Sequence, residues 1–260
     1  MTVKIAIAGA AGRMGQALIA GAAGGDFAVV GGSEQPGSPH IGREMITSII
    51  ISDTANKAAA SADVWIDFTA PVATLAALDL LKSTKVKAAI VGTTGLSAAQ
   101  EQQIAEHAKR IAIVRSRNFS LGVNLLIGLI EQAAARLGSD WDIEISETHH
   151  KRKVDAPSGT ALMMGEAAAK VRGSALADLR TPPYEGQTGP RKQGAIAFAV
   201  TRAGGVIGDH EIKFASDEEI LSIGHRALDR ALFARGALHA ARWAAGQKPG
   251  LYSMRDVLAL

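Results

Sequence analysis

Short apolar runs and amphipathic stretches alternate along the first half of the chain. The runs are rich in Val, Ile and Ala and lie at residues 3–8, 27–32, 64–68, 86–91 and 111–114. Between most of them, apolar residues recur with the spacing that is typical of helices. Strands that alternate with helices form parallel sheets that carry helices on both faces. The pattern therefore predicts an α/β fold with a doubly wound parallel sheet.

Local signals predict where some of these elements begin. Pro71 suits the first turn of a helix that follows the third run. Ser97 and Gln100 have the spacing of a capping box, so a second helix is predicted from there to about Lys109. Residues 35–60 are at first rich in Gly, Pro and Ser, and we interpret them as a surface connection with a short strand at 49–51.

The pattern changes after an apolar helix that is predicted at residues 121–137. Residues 141–146 alternate apolar and polar side chains, as in a sheet with one exposed face. Further strands are predicted at 195–202, 208–215 and 219–225. Several strands in one region favour a second, α+β domain on a mixed or antiparallel sheet.

Two long segments complete the predicted organisation. Residues 172–192 are rich in Pro and Gly and are predicted to form a long loop, either a lid or an arm that reaches a neighbouring subunit. Residues 226–245 predict an amphipathic helix, which we expect to return with the tail to the first domain. The predicted domains are residues 1–120 plus 227–260, and residues 121–226.

A glycine-rich turn follows the first predicted strand. Gly9, Gly12 and Gly15 have the spacing G-x-x-G-x-x-G and precede a predicted helix. In dinucleotide-binding proteins such glycines allow a tight turn, approach of a pyrophosphate, and close packing of helix and strand. Glu34, at the end of the second strand, lies about where an acidic residue binds the adenosine ribose. Together they favour a nicotinamide-dinucleotide site in a Rossmann-type domain, although each alone is a weak signal.

The unusual loops of the first domain all follow predicted strands. They lie at residues 9–15, 33–34, 68–71, 92–95 and 116–119. Ligands of open α/β sheets bind at the carboxyl ends of the strands. The shared location therefore favours a binding site over a set of ordinary turns.

Residues 147–161 form the most concentrated group of titratable side chains. His149 and His150 are adjacent, three cations follow at 151–153, and Ser158 is a good N-cap for an apolar helix. The N-terminus of a helix attracts anions, and a histidine can supply a proton near neutral pH. The run therefore predicts a carboxylate or phosphate site with a proton donor, although a solvated basic loop before a helix would explain the same residues.

Composition removes several classes of function. The 260 residues are 47% hydrophobic and 20% charged, with a formal net charge of +3, so nucleic-acid binding is weakly supported. There is no cysteine, which excludes disulfides, thiolate catalysis and cysteine-ligated zinc. No apolar stretch is long enough to span a membrane, and the N-terminus enters a strand pattern directly, so we expect a cytoplasmic protein.

The order of these motifs resembles that of the dihydrodipicolinate reductase family, also called 4-hydroxy-tetrahydrodipicolinate reductase. The resemblance extends over essentially the whole chain, and the double histidine is its most specific part. The matching segments are Gly9 to Gly15, Asp67 to Thr69, Gly92 to Gly95, Asn118 to Asn124, Glu147 to Ala161 and Ser253 to Leu258.

The resemblance implies roles for individual residues. His149 matches the family's proton donor, and Lys153 matches its second catalytic residue. Residues that match holders of the substrate carboxylates are His150, Gly159 and Thr160. Residues that match contacts of the nicotinamide cofactor are Gly9, Ala10, Ala11, Gly12, Arg13, Met14, Glu34, Gly92, Thr93, Thr94, Ser116, Arg117, Asn118 and Phe119.

The resemblance also implies an activity and an assembly. The family reduces 4-hydroxy-tetrahydrodipicolinate to tetrahydrodipicolinate with NADH or NADPH, in diaminopimelate and lysine biosynthesis, and needs no metal. It combines a Rossmann domain with a second domain that forms a homotetramer. We therefore expect a cyclic dicarboxylate as the substrate, and neither nucleic acid nor a membrane as a partner.

Two positions depart from the family pattern. Some members carry an arginine directly after the ribose-binding acid, where this chain has Gln35, which leads to the hypothesis that NADH is used at least as well as NADPH. Arg117 stands where a small residue or proline is usual, and could contact the nicotinamide or point to solvent. Two other interpretations of the function stay open at this point. The chain could be another two-domain nicotinamide dehydrogenase of amino-acid metabolism, or a cofactor-sensing regulatory protein.

Overall fold

The computed structural model describes residues 2–46 and 48–260. Helices and strands are numbered separately in chain order. They are β1 (Val3–Ala8), α1 (Arg13–Ala22), β2 (Phe27–Ser33), β3 (Glu44–Ile46), β4 (Ile49–Ser52), α2 (Ala55–Ala58), β5 (Val64–Asp67), α3 (Pro71–Leu80), a 3-10 helix (Leu81–Ser83), β6 (Ala88–Val91), α4 (Ala98–Ala108), β7 (Ala112–Arg115), α5 (Leu121–Arg136), β8 (Asp142–His149), α6 (Gly159–Val171), α7 (Leu176–Leu179), β9 (Ile196–Arg202), β10 (Gly208–Ala215), β11 (Ile220–Ala227), α8 (Ala231–Ala244), β12 (Gly250–Tyr252) and α9 (Met254–Leu258).

The chain divides into two compact units. One contains the residues up to Leu121 together with Ala231–Leu260, and the other contains Gly122–Arg230. The assignment of cofactor binding to the first unit and of substrate binding to the second stays a prediction.

The first unit is built on a large sheet with the strand order β12-β7-β6-β5-β1-β2-β4-β3. Neighbouring strands are parallel except for β3, which runs antiparallel to β4. Side chains that alternate along β1 enter different cores, because Ile5 and Ile7 join one buried cluster and Ala6 joins the other. Both faces of the sheet are thus buried, and the prediction of a doubly wound parallel sheet is confirmed.

The predicted helix starts of this unit are also observed. Pro71 occupies the first turn of α3. Ser97 Oγ accepts a hydrogen bond from the Gln100 N–H, and the Gln100 side chain accepts one from the Ser97 N–H, which completes the capping box of α4. Each such cap satisfies backbone groups that a helix end leaves without intrahelical partners.

The second unit is built on a mixed sheet with the strand order β11-β10-β8-β9. β9 lies parallel to β8, whereas β10 is antiparallel to both of its neighbours. Ile143, Ile145 and Phe214 form a buried core with residues of α6, among them Ala161 and Met164. The predicted α+β unit on a mixed sheet is therefore confirmed.

Three predicted boundaries in this region were wrong. Glu147 to His149 do not begin a loop but form the last residues of β8. The segment 172–192 is not wholly a loop, since it contains α7 and Arg180 forms a β-bridge with Ile196. The last long helix begins at Ala231 rather than near Arg226, because β11 continues through Ala227.

Candidate active site

The glycine-rich turn between β1 and α1 brings backbone atoms unusually close together. Gly9 has a φ of 62°, which glycine adopts without steric cost. A Cβ atom added at Gly15 would lie 2.4 Å from the Gly9 carbonyl oxygen and 2.6 Å from that of Ala10. Any side chain at residue 15 would therefore push α1 away from the end of β1.

The other residues of this turn differ in exposure. Gly12 is the N-cap of α1, and a Cβ there would lie 3.1 Å from the Gly9 oxygen. Arg13 is exposed, whereas Met14 is partly buried against the core of the unit. The exposed Gly12 and Arg13 are thus open to an anionic ligand at the start of α1.

Glu34 follows β2 and contacts the same turn. Its Oε1 accepts a hydrogen bond of 2.9 Å from the Ala11 N–H. Glu34 also lines a cavity of about 410 Å³, together with Gln35, Thr54 and the alanines on one side of α3. Thr54 Oγ1 is buried in this unit without a hydrogen-bond partner among the described residues.

This cavity has the properties expected of an adenosine site. Small apolar side chains line it at α3, namely Ala70, the N-cap, and Ala73, Ala76 and Ala77 within the helix. Pockets for small ligands are mostly apolar, with a few polar groups that fix orientation. Glu34 and the Thr54 hydroxyl are such polar groups, so the residues present fit a dinucleotide.

Asp67 fixes the loops that follow β5 and β6. It is 1% exposed, and its Oδ1 accepts hydrogen bonds from the Thr69 and Thr74 hydroxyls at 2.6 and 3.1 Å. The buried Thr93 hydroxyl lies 2.7 Å from that of Thr74 and 3.3 Å from Asp67 Oδ1. Thr93 is thus held within the protein, whereas Thr94 is exposed.

Gly92 and the residues after β7 border the same end of the sheet. A Cβ at Gly92 would lie 2.0 Å from the Phe68 ring, which in turn packs edge-to-face on Phe119 at 5.2 Å. Phe119 is a core residue, so its ring is not available to a cofactor. Ser116 Oγ donates to the Asn118 carbonyl at 2.7 Å and shapes the turn, and Arg117 is exposed.

In the second unit, β8 places a carboxylate beside the first histidine. Residues two apart on a strand point to the same face. Glu147 and His149 therefore lie together, with Glu147 Oε2 at 2.5 Å from His149 Nδ1. The Glu147 side chain is completely buried and that of His149 is 11% exposed.

Arg202, at the end of β9, holds Glu147 from the other side. Its Nη1 and Nη2 donate to Oε2 and Oε1 of Glu147 at 2.8 and 2.9 Å, which is a bidentate pair. The Ser158 N–H donates to Oε1 at 2.9 Å. Burial alone would raise the pKa of the Glu147 carboxyl, but the hydrogen bonds from Arg202, His149 and Ser158 hold that pKa below its usual value.

A third histidine packs against this pair. The ring of His210, on β10, lies edge-to-face on that of His149 with 5.0 Å between centroids. His210 Nε2 lies 3.0 Å from Ser158 Oγ, which caps α6 by accepting a hydrogen bond from the Ala161 N–H. Burial, and then the neighbouring His149, lower the pKa of His210 to about 4. His210 is therefore neutral at pH 7.

The low pKa of His210 should make stability depend on pH. An unfolded histidine has a pKa near 6.5, so between about pH 6.5 and 4 the unfolded chain binds more protons than the folded one. Folded-state stability is therefore lost as the pH falls through this window. We expect His210→Asn to reduce the loss of unfolding free energy between pH 8 and 5 by about 2 kcal/mol.

Urea unfolding at the two pH values measures this difference. His239→Asn, at an exposed position on α8, is a matched control that should lose as much stability as the unmodified chain. An equal loss in His210→Asn would contradict a neutral, buried His210.

His150 has different surroundings from His149. Its Nδ1 is buried without a hydrogen-bond partner among the described residues. Burial, and then the positive charges of Arg152 and Arg230, lower the pKa of His150. Of the two adjacent histidines, His149 has the carboxylate partner and His150 lies among cations.

Lys153 and the start of α6 follow Glu147 and His149 closely in sequence and are connected to them through hydrogen bonds. Lys153 Nζ lies 2.8 Å from Asp155 Oδ1, and this ammonium holds the pKa of Asp155 below its usual value. Arg202 Nη2 donates to the Asp155 carbonyl at 2.6 Å, so the same guanidinium contacts Glu147 and this turn. A Cβ at Gly159 would meet no atom within 4 Å, so there is open space beside the first turn of α6.

Several residues of the site had not been predicted from the sequence. Glu147 and Ser158 were noticed only as parts of the polar run, although the spacing of Glu147 and His149 on a strand could have indicated their contact. Arg202 carried no signal and Asp67 appeared only within a segment that matches the family, because the partners of both residues depend on strand pairing and loop packing. Lys151 and Arg152, the other two cations of the polar run, are exposed.

Comparison with known proteins gives a consistent result. Residues 3–119 match the family described as Dihydrodipicolinate reductase, N-terminus, and residues 122–258 match Dihydrodipicolinate reductase, C-terminus. The 4-hydroxy-tetrahydrodipicolinate reductase of Caulobacter vibrioides is 50% identical over 258 residues, which cover 98% of this chain and 97% of that protein. The one of Parvibaculum lavamentivorans is 46% identical, with 99% and 98% covered.

A solved structure shares the fold. The dipicolinate-bound dihydrodipicolinate reductase of Paenisporosarcina sp. TG-14 superimposes with a TM-score of 0.78 at 24% identity and covers 97% of this chain and 98% of its own. Among the described residues, no helix is both long enough and apolar enough to cross a membrane.

Proposed function

This chain belongs to the dihydrodipicolinate reductase family, and from that membership we propose which of its residues carry out the reaction. The protein is an NAD(P)H-dependent oxidoreductase that reduces 4-hydroxy-tetrahydrodipicolinate to tetrahydrodipicolinate in diaminopimelate and lysine biosynthesis. Water leaves the hydroxylated ring, and one hydride and one proton add to the conjugated ring that results. The protein must therefore hold a dicarboxylate and supply one proton at the right place.

His149 is the proposed proton donor. The observation that carries this proposal is the 2.5 Å contact between His149 Nδ1 and the buried Glu147 carboxylate. With Nδ1 directed to Glu147, Nε2 is the ring atom that can deliver a proton to the substrate. Within the part of the chain that the structure describes, His150 has no carboxylate partner, and burial and nearby cations lower its pKa, which favours its neutral form. A positioned acid of this kind typically accelerates a reaction by about 10²–10⁴-fold.

The carboxylates of the substrate are proposed to bind at the turn and helix start that follow β8. Lys153 supplies an ammonium group, and Gly159 and Thr160 supply backbone at the N-terminal end of α6, where the helix dipole favours negative charge. His150 adds a polar group at the same place. The open space beside Gly159 allows a ligand to approach the backbone. Binding two carboxylates fixes the orientation of the ring. Such orientation lowers the activation free energy of the bound reactant relative to the free one.

The cofactor is proposed to bind at the carboxyl ends of the strands in the first unit. The turn of residues 9–14 and the start of α1 would hold the pyrophosphate, and Glu34 the adenosine ribose. The turns at 92–94 and 116–119 would border the nicotinamide; Phe119 would contribute only backbone, because its ring is in the core. Reduced nicotinamide supplies the hydride when it is bound.

The assembly and location follow from the same membership. We propose a homotetramer that acts in the cytoplasm. Support comes from apolar residues that the second unit leaves exposed, such as Ile220 at 64% and Leu221 at 42%. Large apolar residues at a surface are typical of an interface between subunits. Analytical ultracentrifugation of the full chain gives the mass of the assembly, and a monomer at micromolar concentration would contradict the proposal.

Glu34 and Gln35 predict the relative catalytic efficiency with NADH and with NADPH. A carboxylate at the ribose binds its hydroxyls but repels a 2′-phosphate, and Gln35 offers no positive charge to offset that repulsion. We therefore expect kcat/KM with NADH to equal or exceed that with NADPH. Steady-state rates at varied concentrations of each cofactor measure this ratio. A preference for NADPH of about tenfold or more, roughly 1.4 kcal/mol, would contradict it.

A coupled assay tests the activity itself. Dihydrodipicolinate synthase generates the unstable substrate in place, and the loss of nicotinamide absorbance reports its reduction. We expect NADH consumption that depends on both the synthase and this chain. Consumption without the synthase would indicate a different dehydrogenase, and binding of NADH without any consumption would indicate a cofactor sensor.

A further inference from the structure

The Glu147 carboxylate is completely buried in the second unit and contacts His149, the proposed proton donor. We propose that Glu147 is a positioning residue, which fixes His149 in the form that carries hydrogen on Nδ1 and directs Nε2 to the substrate, with Arg202 holding Glu147 in place. This inference rests on the proposed function, because it assigns a role to Glu147 only through His149.

The hydrogen-bond partners of Glu147 determine its chemical form. Oε1 accepts from the Ser158 N–H and Arg202 Nη2, and Oε2 accepts from Arg202 Nη1. A backbone N–H and a guanidinium can only donate, so both oxygens of Glu147 act as acceptors. A carboxylate satisfies this set of donors, whereas a protonated acid or an amide would direct an N–H or O–H against another donor.

The form of His149 then follows from the form of Glu147. The pKa of Glu147 lies below its usual value, because the hydrogen bonds from Arg202, His149 and Ser158 outweigh the opposing effect of burial. An ionised carboxylate cannot donate, so in the contact of 2.5 Å it is His149 Nδ1 that carries the hydrogen. In the neutral ring Nε2 is then free of hydrogen, and in the charged ring Nε2 carries the proton to be transferred.

The surroundings of Nε2 are consistent with a group that reacts at this atom. A Cβ added at Gly208 would lie 3.0 Å from His149 Nε2 and 3.3 Å from His210 Cε1, so the absence of a side chain at residue 208 leaves room beside Nε2. The neighbouring His210 is neutral at pH 7 and adds no competing positive charge.

The alternative is that Glu147 only stabilises the fold. It joins β8 to β9 through Arg202 and to α6 through Ser158, and a buried ion pair often contributes such a link. The two roles differ in what they predict for His149. A structural link leaves the ring free to adopt either tautomer, whereas a positioning role requires hydrogen on Nδ1.

Nitrogen NMR measures the tautomer of His149 in the unmodified chain. The chain is labelled with ¹⁵N in histidine, and His149 is assigned by its loss in His149→Gln. At a pH where the ring is neutral, we expect the ¹⁵N shifts of His149 to report a protonated Nδ1 and an unprotonated Nε2. The opposite tautomer, or a mixture of the two, would overturn the proposal even if the enzyme is fully active.

Glu147→Gln tests the consequence for turnover. The amide cannot accept from all of its donors at once, so Nδ1 loses its fixed partner. We expect kcat to fall about 10²-fold while the KM for the substrate changes by less than about threefold.

Glu144→Gln is the matched control. Glu144 lies on the same strand as Glu147 and is paired with an arginine, Arg191, at 2.9 Å, but among the described residues no hydrogen bond or ion pair joins it to a histidine. We expect this variant to keep the kcat of the unmodified chain. Equal losses of kcat in the two variants would show that Glu147 acts on the fold alone.

Combining variants separates this inference from the proposed function. If Glu147 acts through His149, adding Glu147→Gln to His149→Gln should lower kcat by less than about threefold more. A further 10²-fold loss would contradict the inference and leave the role of His149 intact. If the unmodified chain shows no activity in the coupled assay, the proposed function fails, while the NMR result still reports on the pair. If Glu147→Gln does not fold, the tautomer of the unmodified chain decides.

Discussion

Replacing His149 with glutamine is expected to lower kcat by about 10²–10⁴-fold, the range that one positioned acid contributes. Glutamine has nearly the reach of histidine but cannot donate a proton from a charged group. The KM for the substrate should change much less, since the proposed carboxylate contacts lie on Lys153 and the start of α6. Because the lost interaction is formed only in the transition state, kcat and kcat/KM should fall together.

Steady-state kinetics of His149→Gln in the coupled assay measures both constants. Lys153→Ala provides the contrast, because loss of an ammonium that contacts a carboxylate should raise KM as well as lower kcat. His239→Gln, at the exposed position on α8, controls for the loss of a histidine in general. Near-normal turnover in His149→Gln would remove this residue from the role of acid.

Replacing Gly15 with alanine is expected to have the largest effect on the first unit. The added Cβ would lie 2.4 Å from the Gly9 carbonyl oxygen, well inside van der Waals contact, and this oxygen is a backbone atom that cannot move aside as a flexible side chain could. Relief requires α1 to move away from β1, which distorts the turn proposed to bind the pyrophosphate. We expect a loss of about 2–4 kcal/mol in unfolding free energy, and an affinity for NADH at least about tenfold weaker in the protein that remains folded.

Gly25→Ala is the matched control for this prediction. The shortest contact of a Cβ at Gly25 would be 3.8 Å, to the Ala22 carbonyl oxygen, which is ordinary van der Waals contact. Gly25 does not have a positive φ. Denaturant unfolding and calorimetric titration with NADH measure the two effects. Equal stability and affinity in Gly15→Ala and Gly25→Ala would contradict the role of close packing at this turn.

The strands and helix starts of the first unit were largely predictable, because local sequence patterns determine them. The residues of β1 are apolar on both faces, and the glycines that follow have no local alternative but a tight turn. Ser97 and Gln100 satisfy each other within one helical turn, so their capping box was visible in the sequence. The carboxyl ends of parallel strands meet at one edge of a sheet, which is why the loops that follow β1, β2, β5, β6 and β7 were expected together.

The end of β8 could not be predicted in the same way. A half-buried strand is recognised by apolar residues at every second position. Glu147 and His149 occupy such alternate positions but are charged or titratable, so the apolar alternation that predicts a strand ends before them. Both are buried because each satisfies the other and because Arg202, 55 residues away, completes the set of hydrogen bonds. Nothing local to residues 147–149 indicates that partner.

The same limit applies to the Asp67 network and to the start of α8. Asp67 is buried because the Thr74 and Thr93 hydroxyls donate to it from a helix and from a neighbouring loop, and neither contact has a sequence signal. Arg226 and Ala227 were placed in a helix on their periodicity, but pairing with β10 extends β11 through both residues. Tertiary pairing decides such boundaries against local preference.

Isotope transfer tests the central claim most directly, namely that this chain passes a hydride from reduced nicotinamide to the dehydrated ring. NADH that is dideuterated at its hydride-donating carbon is consumed in the coupled assay, and the tetrahydrodipicolinate formed is analysed by mass spectrometry. We predict one deuterium in each product molecule, with NADH consumed in equal amount. Product without deuterium, or oxidation of NADH without formation of tetrahydrodipicolinate, would contradict the account.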